Sequence, residues 1–407
     1  MNVMFITIEN VKSFETRSIY MDLVNKFIEK GHYVTVLSAC EKRDRNSSDS
    51  NYYSYDEKGE IFKVNTMNVT KTTNFVMKGL GLIFLLPKFR IAAMKAMKNR
   101  TYDLVFYGSP PITVYSAVKA VKKKQDAYSY LLLKDIWPYD CLFGDVLTQK
   151  GWKKIAFDYL VYLARQLYNA SDTIGCMSPA NIKFLTDHEP LLDINKIEVN
   201  PNSIEPFGKK LSMNNICNIR KKYNIPENKV VFVYGGSLGI PQGIDFALES
   251  VRDAQKVEDA YFVFVGAGTE FKKIEVYVEQ NKLENFLLLP SMTKDEYETL
   301  VYACDVGLIY LNHECLAPNY PSRLLTYLQA SIPVLCATDT YTDVGKIAFE
   351  NEYGFWCESL NTDQFVKYVR QLCEQDIREY MGCNGREYLI NNYTAECSYN
   401  KIIEKII

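Results

Sequence analysis

Short apolar runs rich in β-branched and aromatic residues alternate along the chain with longer stretches of helical spacing. MNVMFITI (1–8) reads as a buried strand and residues 9–18 as a loop; IYMDLVNKFIEKG then has helical periodicity closing at Gly31, and HYVTVLSA is the next strand. DLVFYGSPP, YSYLLLKDIWP and TIGCMSP repeat the motif: an apolar run, then a polar or Gly/Pro turn at its carboxyl end. Such an alternation predicts α/β units around parallel sheets, with ligands in the crevice at the carboxyl ends of the strands.

The pattern breaks over residues 200–228, rich in Asn, Pro and Lys, which predicts a linker with a short helix. A second series begins near Lys229: VVFVYGGSLG, AYFVFVGAG, FLLLPSM, VGLIYL and PVLCATD, five strands with helices between them. EYLINNYTAECSYNKIIEKII, at the end, has helical spacing and is expected to pack back on the first domain. The prediction is two Rossmann-like α/β domains facing a cleft, one formed by residues 1–203 with 386–407 and the other by 204–385.

Composition adds limits. The 407 residues, 47% hydrophobic and 24% charged, suit two globular domains rather than a disordered or fibrous chain. The longest apolar stretch, GLGLIFLLP (79–87), is far shorter than the roughly 20 residues that span a bilayer. MNVMFITI carries neither a basic region nor a cleavage site, so no secretory leader and a cytoplasmic location are expected. The 11 cysteines show no C-x-x-C spacing, and Cys176, Cys304 and Cys336 in apolar surroundings read as reduced core thiols. With three histidines and no D-x-D pair, no metal site is expected.

Charge is unevenly distributed. Residues 1–200 carry 27 basic and 21 acidic side chains, a net of +6, whereas residues 201–407 carry 20 and 28, a net of −8. From Ile61 to Tyr102 there is no acidic residue, while Lys63, Lys71, Lys78, Lys88, Arg90, Lys95, Lys98 and Arg100 alternate with apolar side chains. That stretch reads as an in-plane contact with an anionic membrane surface through Lys88, Arg90, Lys95 and Lys98, with Trp152-Lys153-Lys154 extending the face. The alternative is an amphipathic core helix with a basic exposed side. No nucleic-acid motif accompanies the charge, so nucleic acid is not an expected partner.

Two segments carry candidate chemistry. YGGSLGIPQGID (234–245) is a glycine-rich turn between a strand and a helix, where backbone can approach a ligand and helix N–H groups can meet an anion. The bland alternative is a tight βα turn. The G-x-G-x-x-G spacing of a dinucleotide site is absent here and in VGAGTEF (265–271), which argues against an oxidoreductase. In HECLAPNYPSRLLTYLQASIPVLCATD (313–339), Pro321 at a first helical turn, with Ser322 and Arg323 beside it, could hold a phosphate. A capped helix with a surface arginine is the alternative.

Taken in order, YGGSLGIPQGID, FVFVGAGTE, LLPSMTKDEYETLVYACDVGLIYL and PNYPSRLLTYLQASIPVLCATD resemble bacterial family-4 glycosyltransferases of the GT-B fold. The branch most similar is the fucosamine-transferase-like one that builds capsule and O-antigen polysaccharides; KGHYVTVLS, VFYGSPP, LLLKDIWP and VNPNSI resemble its N-terminal landmarks. The resemblance implies transfer from a nucleotide-sugar, uridine-linked by family habit, with retention at the anomeric carbon and neither a metal nor a cofactor. It implies that Gly235, Gly236, Ser237, Leu238 and Gly239 face the donor, that Pro290 and Ser291 border the base, and that Ser322 and Arg323 hold the phosphates. The segment from Glu314 to Asn319 would read the sugar hydroxyls. Two glutamates found eight positions apart in many members are Pro318 and Thr326 here, with Glu314 displaced by four residues, and the turn's usual Arg and Lys are Ser237 and Gln242.

The acceptor side is expected in the first domain. Asp135 in KDIWP could orient or deprotonate an acceptor hydroxyl, or cap a turn. Trp137 is a stacking platform or packing, Ser109 lies in VFYGSPP, and Arg17 in FETRS touches acceptor or phosphate or starts a helix. With Arg323 neutralising the departing diphosphate and Asp135 at the acceptor, the expected function is sugar transfer to a lipid-linked saccharide at the inner face of the plasma membrane. A GT-B nucleotide-sugar epimerase and an inactive partner subunit are the alternatives, the latter supported by the missing glutamates.

Overall fold

The computed structural model describes residues 1–44, 52–56, 58–69, 75–145, 147–208 and 212–406. It divides into one unit of Met1–Glu205 with Ala395–Ile407 and another of Pro206–Thr394. The chain returns to the first unit at residue 395 rather than at 386.

The first unit is built on an eight-stranded sheet of β1 (Asn2–Thr7), β2 (Tyr33–Glu41), β3 (Tyr52–Asp56), β4 (Gly59–Thr66), β5 (Leu104–Ser109), β6 (Tyr128–Leu133), β7 (Thr173–Cys176) and β8 (Ile197–Val199). The order is β3-β4-β2-β1-β5-β6-β7-β8, parallel except for β3 against β4. Its helices are α1 (Ile19–Glu29), α2 (Phe75–Asn99), α3 (Tyr115–Gln125), α4 (Gly151–Ala170) and α5 (Pro179–His188). Ser18 starts α1 by accepting from the Met21 amide, and the helix buries Met21, Leu23, Val24 and Phe27. Phe106 stacks at 4.6 Å on Phe5 and at 5.2 Å on Phe27, joining the middle of the sheet to α1.

The second unit contains α6 (Met213–Lys222), β9 (Val230–Ser237), α7 (Ile244–Ala254), β10 (Ala260–Ala267), α8 (Phe271–Asn281), β11 (Phe286–Pro290) and α9 (Lys294–Val301). It continues with β12 (Val306–Tyr310), α10 (Arg323–Gln329), β13 (Val334–Thr338), α11 (Val344–Glu350), β14 (Gly354–Glu358), α12 (Thr362–Leu372) and α13 (Gln375–Asn392). Its wholly parallel sheet has six strands, one more than expected, in the order β11-β10-β9-β12-β13-β14. Phe232, Phe262, Phe264, Phe286 and Phe365 fill its core.

The C-terminal helix α14 (Ala395–Glu404) belongs to the first unit for identifiable reasons. The Ala395 amide donates to the Ile204 carbonyl at 2.9 Å, Tyr399 sets its ring edge against Phe27, and Ile402 is fully buried. Two such side chains contribute roughly 1.5–3 kcal/mol each. Lys26 adds ion pairs with Glu205 at 3.0 Å and Glu396 at 3.7 Å.

One expectation needs correction. The stretch from Ile61 to Tyr102 is not a continuous surface element, because Ile61 to Thr66 lie in β4, paired to β2 inside the sheet. Lys63 donates to Asn10 and the Val11 carbonyl, and Arg100 lies 3.5 Å from the Tyr33 ring centroid. Both are thus engaged within the unit. Lys71 lies outside the described residues, as do the side chains of Lys78 and Trp152. Lys88, Arg90, Lys95 and Lys98 are exposed on α2, beside exposed Ile83, Phe84 and Ile91. Among the described residues no helix is long and apolar enough to cross a membrane.

Candidate functional sites in the two units

Each sheet reverses its direction of growth beside its first strand: between β9 and β12 in the second unit, and between β1 and β5 in the first. Loops leaving adjacent strands on opposite sides of a sheet part there and leave a crevice. The candidate residues gather at these two places.

In the second unit, Gly235, Gly236 and Ser237 close β9 rather than forming a turn, and Gly236 pairs with Gly266 of β10. Gly235 leaves room for Tyr297, whose ring a Cβ would strike; Tyr297 in turn donates to the Tyr327 hydroxyl at 3.2 Å. Gly236 has φ +130°, a region only glycine adopts easily, and is exposed with Ser237. Leu238 is buried, and the Gly239 amide donates to Gln242 Oε1 at 3.2 Å. The Asn312 amide and side chain bond the Pro241 and Ile240 carbonyls, tying this turn to the loop after β12.

Arg323 reaches the same turn from α10. Its guanidinium lies 4.3 Å from the Tyr234 ring centroid, and Nη2 would be 3.1 Å from a Cβ on Gly236. Nη1 is buried without a hydrogen-bond partner among the described residues. Burial opposes the charge, but the Tyr234, Tyr327 and Tyr297 hydroxyls raise the pKa of this group, so it stays a cation. Desolvated, half-buried and short of one partner, it is poised to receive an anion at the glycine strand end. Ser322 is exposed at the N-cap of α10, so the helix opens at Arg323, two residues after Pro321. Thr326 is half-buried on α10.

The other donor candidates surround this crevice at differing depths. Pro290 and Ser291 are exposed at the carboxyl end of β11, two strands from β9. Glu314 is exposed, with its amide donating to Asn312 Oδ1, and the Asn319 amide donates to Thr342 Oγ1 at 3.2 Å. Pro318 is buried, so the position aligned with a family glutamate is part of the loop's packing.

In the first unit, Asp135 follows β6 and is exposed, and its carboxylate has no hydrogen-bond partner among the described residues, which removes the capping alternative. Its amide and that of Lys134 donate to the Ser109 carbonyl at 3.4 and 3.2 Å. Ser109 itself is fully buried. It therefore positions Asp135 from behind instead of meeting an acceptor, a correction to the sequence reading. Trp137 is half-buried; Arg17 is exposed just before α1.

Sequence reasoning missed the groups around Asp135. Crowding by protein raises its pKa, while the neighbouring Lys134 ammonium partly offsets this. Asp140 is raised as well, by burial and by the Asp135 charge, and Lys134 is pushed down to about 7 by burial. Tyr20 of α1 fills the space over Gly108, where a Cβ would strike its hydroxyl; burial and the Asp135 and Glu9 charges raise its pKa. A second carboxylate five residues after Asp135 was the available signal for Asp140. Tyr234, immediately before the paired glycines, was the signal for the support under Arg323.

Residues 215–388 match the family model of glycosyl transferases group 1. The chain is 23% identical over 349 residues to a probable glycosyltransferase, WbjE, of Pseudomonas aeruginosa, covering 84% of this chain and 82% of that one. It is 25% identical over 129 residues to the putative colanic acid biosynthesis glycosyl transferase WcaI of Escherichia coli K12, covering 32% and 31%. Among solved structures, sucrose-phosphate synthase of Thermosynechococcus elongatus matches with a TM-score of 0.74 at 12% identity, over 99% of this chain and 98% of that one. HepE of Anabaena, solved with UDP and glucose, matches with a TM-score of 0.66 at 14% identity, over 100% and 99%. These structural likenesses show the GT-B fold, and the match to glycosyl transferases group 1 is confined to residues 215–388. The fucosamine-transferase branch is not singled out by these matches.

Proposed function

We propose that this chain is a retaining glycosyltransferase that moves a sugar from a uridine-diphosphate sugar to a lipid-linked saccharide in the synthesis of a bacterial surface polysaccharide. The observation that carries the reading is Arg323: a half-buried guanidinium against Gly236, its buried Nη1 without a partner among the described residues, inside the segment that matches glycosyl transferases group 1. A diphosphate brings the negative charge that this group and the exposed backbone at Gly236 and Ser237 lack. UDP in HepE and the colanic acid role in the name of WcaI support the choice of donor and pathway class.

In the proposed reaction the acceptor hydroxyl attacks the anomeric carbon from the face the diphosphate leaves. The new C–O bond forms as the C–O bond to phosphate breaks, and the electron pair goes to the β-phosphate oxygen. Arg323 stabilises that charge without requiring a metal, and the hydroxyl proton passes to the departing phosphate while Asp135 orients the acceptor oxygen. No covalent enzyme intermediate is needed. Glu314 and Asn319 read the sugar hydroxyls, Ser322 adds to the phosphate contact, and Pro290 and Ser291 border the base.

The acceptor's lipid places the first unit on an anionic membrane at the cytoplasmic face, touching it with Lys88, Arg90, Lys95 and Lys98 and with exposed Ile83, Phe84 and Ile91. The test is incubation of UDP-sugars with the chain and membrane lipid acceptors, followed by NMR of the product linkage. A lipid-linked product of retained configuration is expected. An inverted product overturns the mechanism, and a new nucleotide-sugar formed without acceptor identifies an epimerase.

A further inference from the structure

Two open grooves lie side by side between β4 and α2 in the first unit, outside the crevice already described. One, of about 260 Å³, is floored by Met67, Gly81, Phe84 and Leu85, with Lys42 and Lys88 in its wall. The other, of about 220 Å³, continues along β4 and α2 past Ile91 and Ala92, with Lys88 and Lys95 in its wall. They share Asn65 and Lys88, so they form one trough, and Phe84 to Lys95 runs roughly 16 Å along the helix at 1.5 Å per residue. Lys42, Lys88 and Lys95 are exposed and, among the described residues, none pairs with a carboxylate. An apolar floor beneath three exposed ammonium groups is complementary to a hydrocarbon chain that carries a phosphate.

The trough lies at a useful place. Lys42 follows β2, Thr66 ends β4 and Met67 follows it, so the trough opens at the same carboxyl edge of the sheet as Asp135 after β6. The order β4-β2-β1-β5-β6 separates the two by four strand spacings, roughly 19 Å at about 4.8 Å each.

We propose that this trough seats the isoprenyl phosphate end of the lipid-linked acceptor, with the phosphate at Lys88 between Lys42 and Lys95 and the chain over Met67, Phe84 and Leu85. It rests on the reading of the chain as a transferase for a lipid-linked saccharide, and adds where the lipid is held and how far its growing end must reach. The separation suits an acceptor already several sugars long, whose terminal hydroxyl reaches Asp135 while its phosphate stays at Lys88.

The test uses soluble, monomeric probes, so that no bilayer is needed. Farnesyl phosphate, farnesol, inorganic phosphate and dihexanoyl phosphatidate, each below its micelle concentration, are titrated into the full chain and followed by native mass spectrometry and tryptophan fluorescence. Saturable binding of farnesyl phosphate is expected, with each other probe weaker by about tenfold or more, the loss that one missing charged or apolar contact brings. The double variant Lys42→Glu, Lys88→Glu is expected to weaken farnesyl phosphate by about tenfold or more, while Lys272→Glu on the second unit leaves it unchanged. Equal binding of farnesol or phosphate, or no effect of the double variant, overturns the site. Equal binding of phosphatidate overturns its assignment to the acceptor and marks a membrane phospholipid seat. Sedimentation with phosphatidylglycerol vesicles reads the membrane proposal separately, and UDP titration reads the transferase proposal, so failure of either is distinguishable from failure of the trough.

Discussion

The two crevices are alike in topology and opposite in chemistry. In the second unit the strand ends carry glycine, exposed backbone and a guanidinium whose Nη1 has no partner among the described residues. In the first unit the corresponding strand ends carry Asp135 and Asp140, both with raised pKa, beside Tyr20 and Lys134. One is short of negative charge; the other already holds more carboxylate than it readily ionises. On the proposed function, the difference divides group transfer between the units: the pole that lacks an anion would take the diphosphate, and the pole with the raised carboxylate would handle the hydroxyl.

The division can be broken most sharply at Arg323. Arg323→Ala is expected to lower kcat/KM for UDP-sugar by roughly 30-fold or more, at least the ~2 kcal/mol lost when one partner of a buried charged contact is truncated. Arg323→Lys should recover only part of this, since a point charge replaces a fork. On the acceptor side, Asp135→Asn is expected to lower kcat about 100-fold with UDP affinity unchanged. The raised carboxylate pKa places the acidic limb of the wild-type pH–rate profile above the ordinary carboxylate range, and Asp135→Asn should flatten that limb. An unchanged limb in the variant would assign the titration to another group.

Gly236→Ala sharpens the comparison from the backbone side. Its φ of +130° and the nearby Arg323 should make a Cβ cost about 1–3 kcal/mol in stability, and donor affinity should fall with it. Thermal unfolding and UDP titration of the same sample check both.

The smallest effect concerns Asp140, whose folded pKa is raised above its unfolded value of about 4. The folded state then favours the protonated acid, so stability falls as pH climbs from about 4 through the raised pKa and levels off above it. Asp140→Asn removes that loss. Its Tm should exceed that of the parent chain by a few degrees at pH 8, with the gap closing towards pH 4; an equal gap at both pH values would contradict the assignment.

Much of the architecture was legible because strands covered on both faces are continuous apolar runs, as in LVFYGS and YSYLLL. The strand β4 was not, because IFKVNT alternates polar and apolar residues inside an acid-free stretch and so read as part of a membrane face. The end of α13 was hidden for a related reason: helical spacing runs on through Tyr393 and Thr394, and the change of unit is marked by long-range contacts such as the hydrogen bond from Ala395 to Ile204. At the site, GGS and PSR were readable as local motifs. What converts them into a pocket is long-range: Tyr234 beneath Arg323, Tyr297 against Gly235, Asn312 joining two loops. Pairings across the fold leave no local signal, and neither does Ser109, whose hydroxyl faces inward while its carbonyl holds Asp135.

The central claim, that the anion-deficient pole in the second unit binds the diphosphate and the carboxylate pole in the first does not, reduces to a calorimetric titration of UDP against the parent chain, Arg323→Ala and Asp135→Asn. The account predicts binding to the parent chain, the same affinity for Asp135→Asn, and an affinity roughly 30-fold or more weaker for Arg323→Ala. Undiminished UDP binding by Arg323→Ala, or an equal loss in Asp135→Asn, would contradict it.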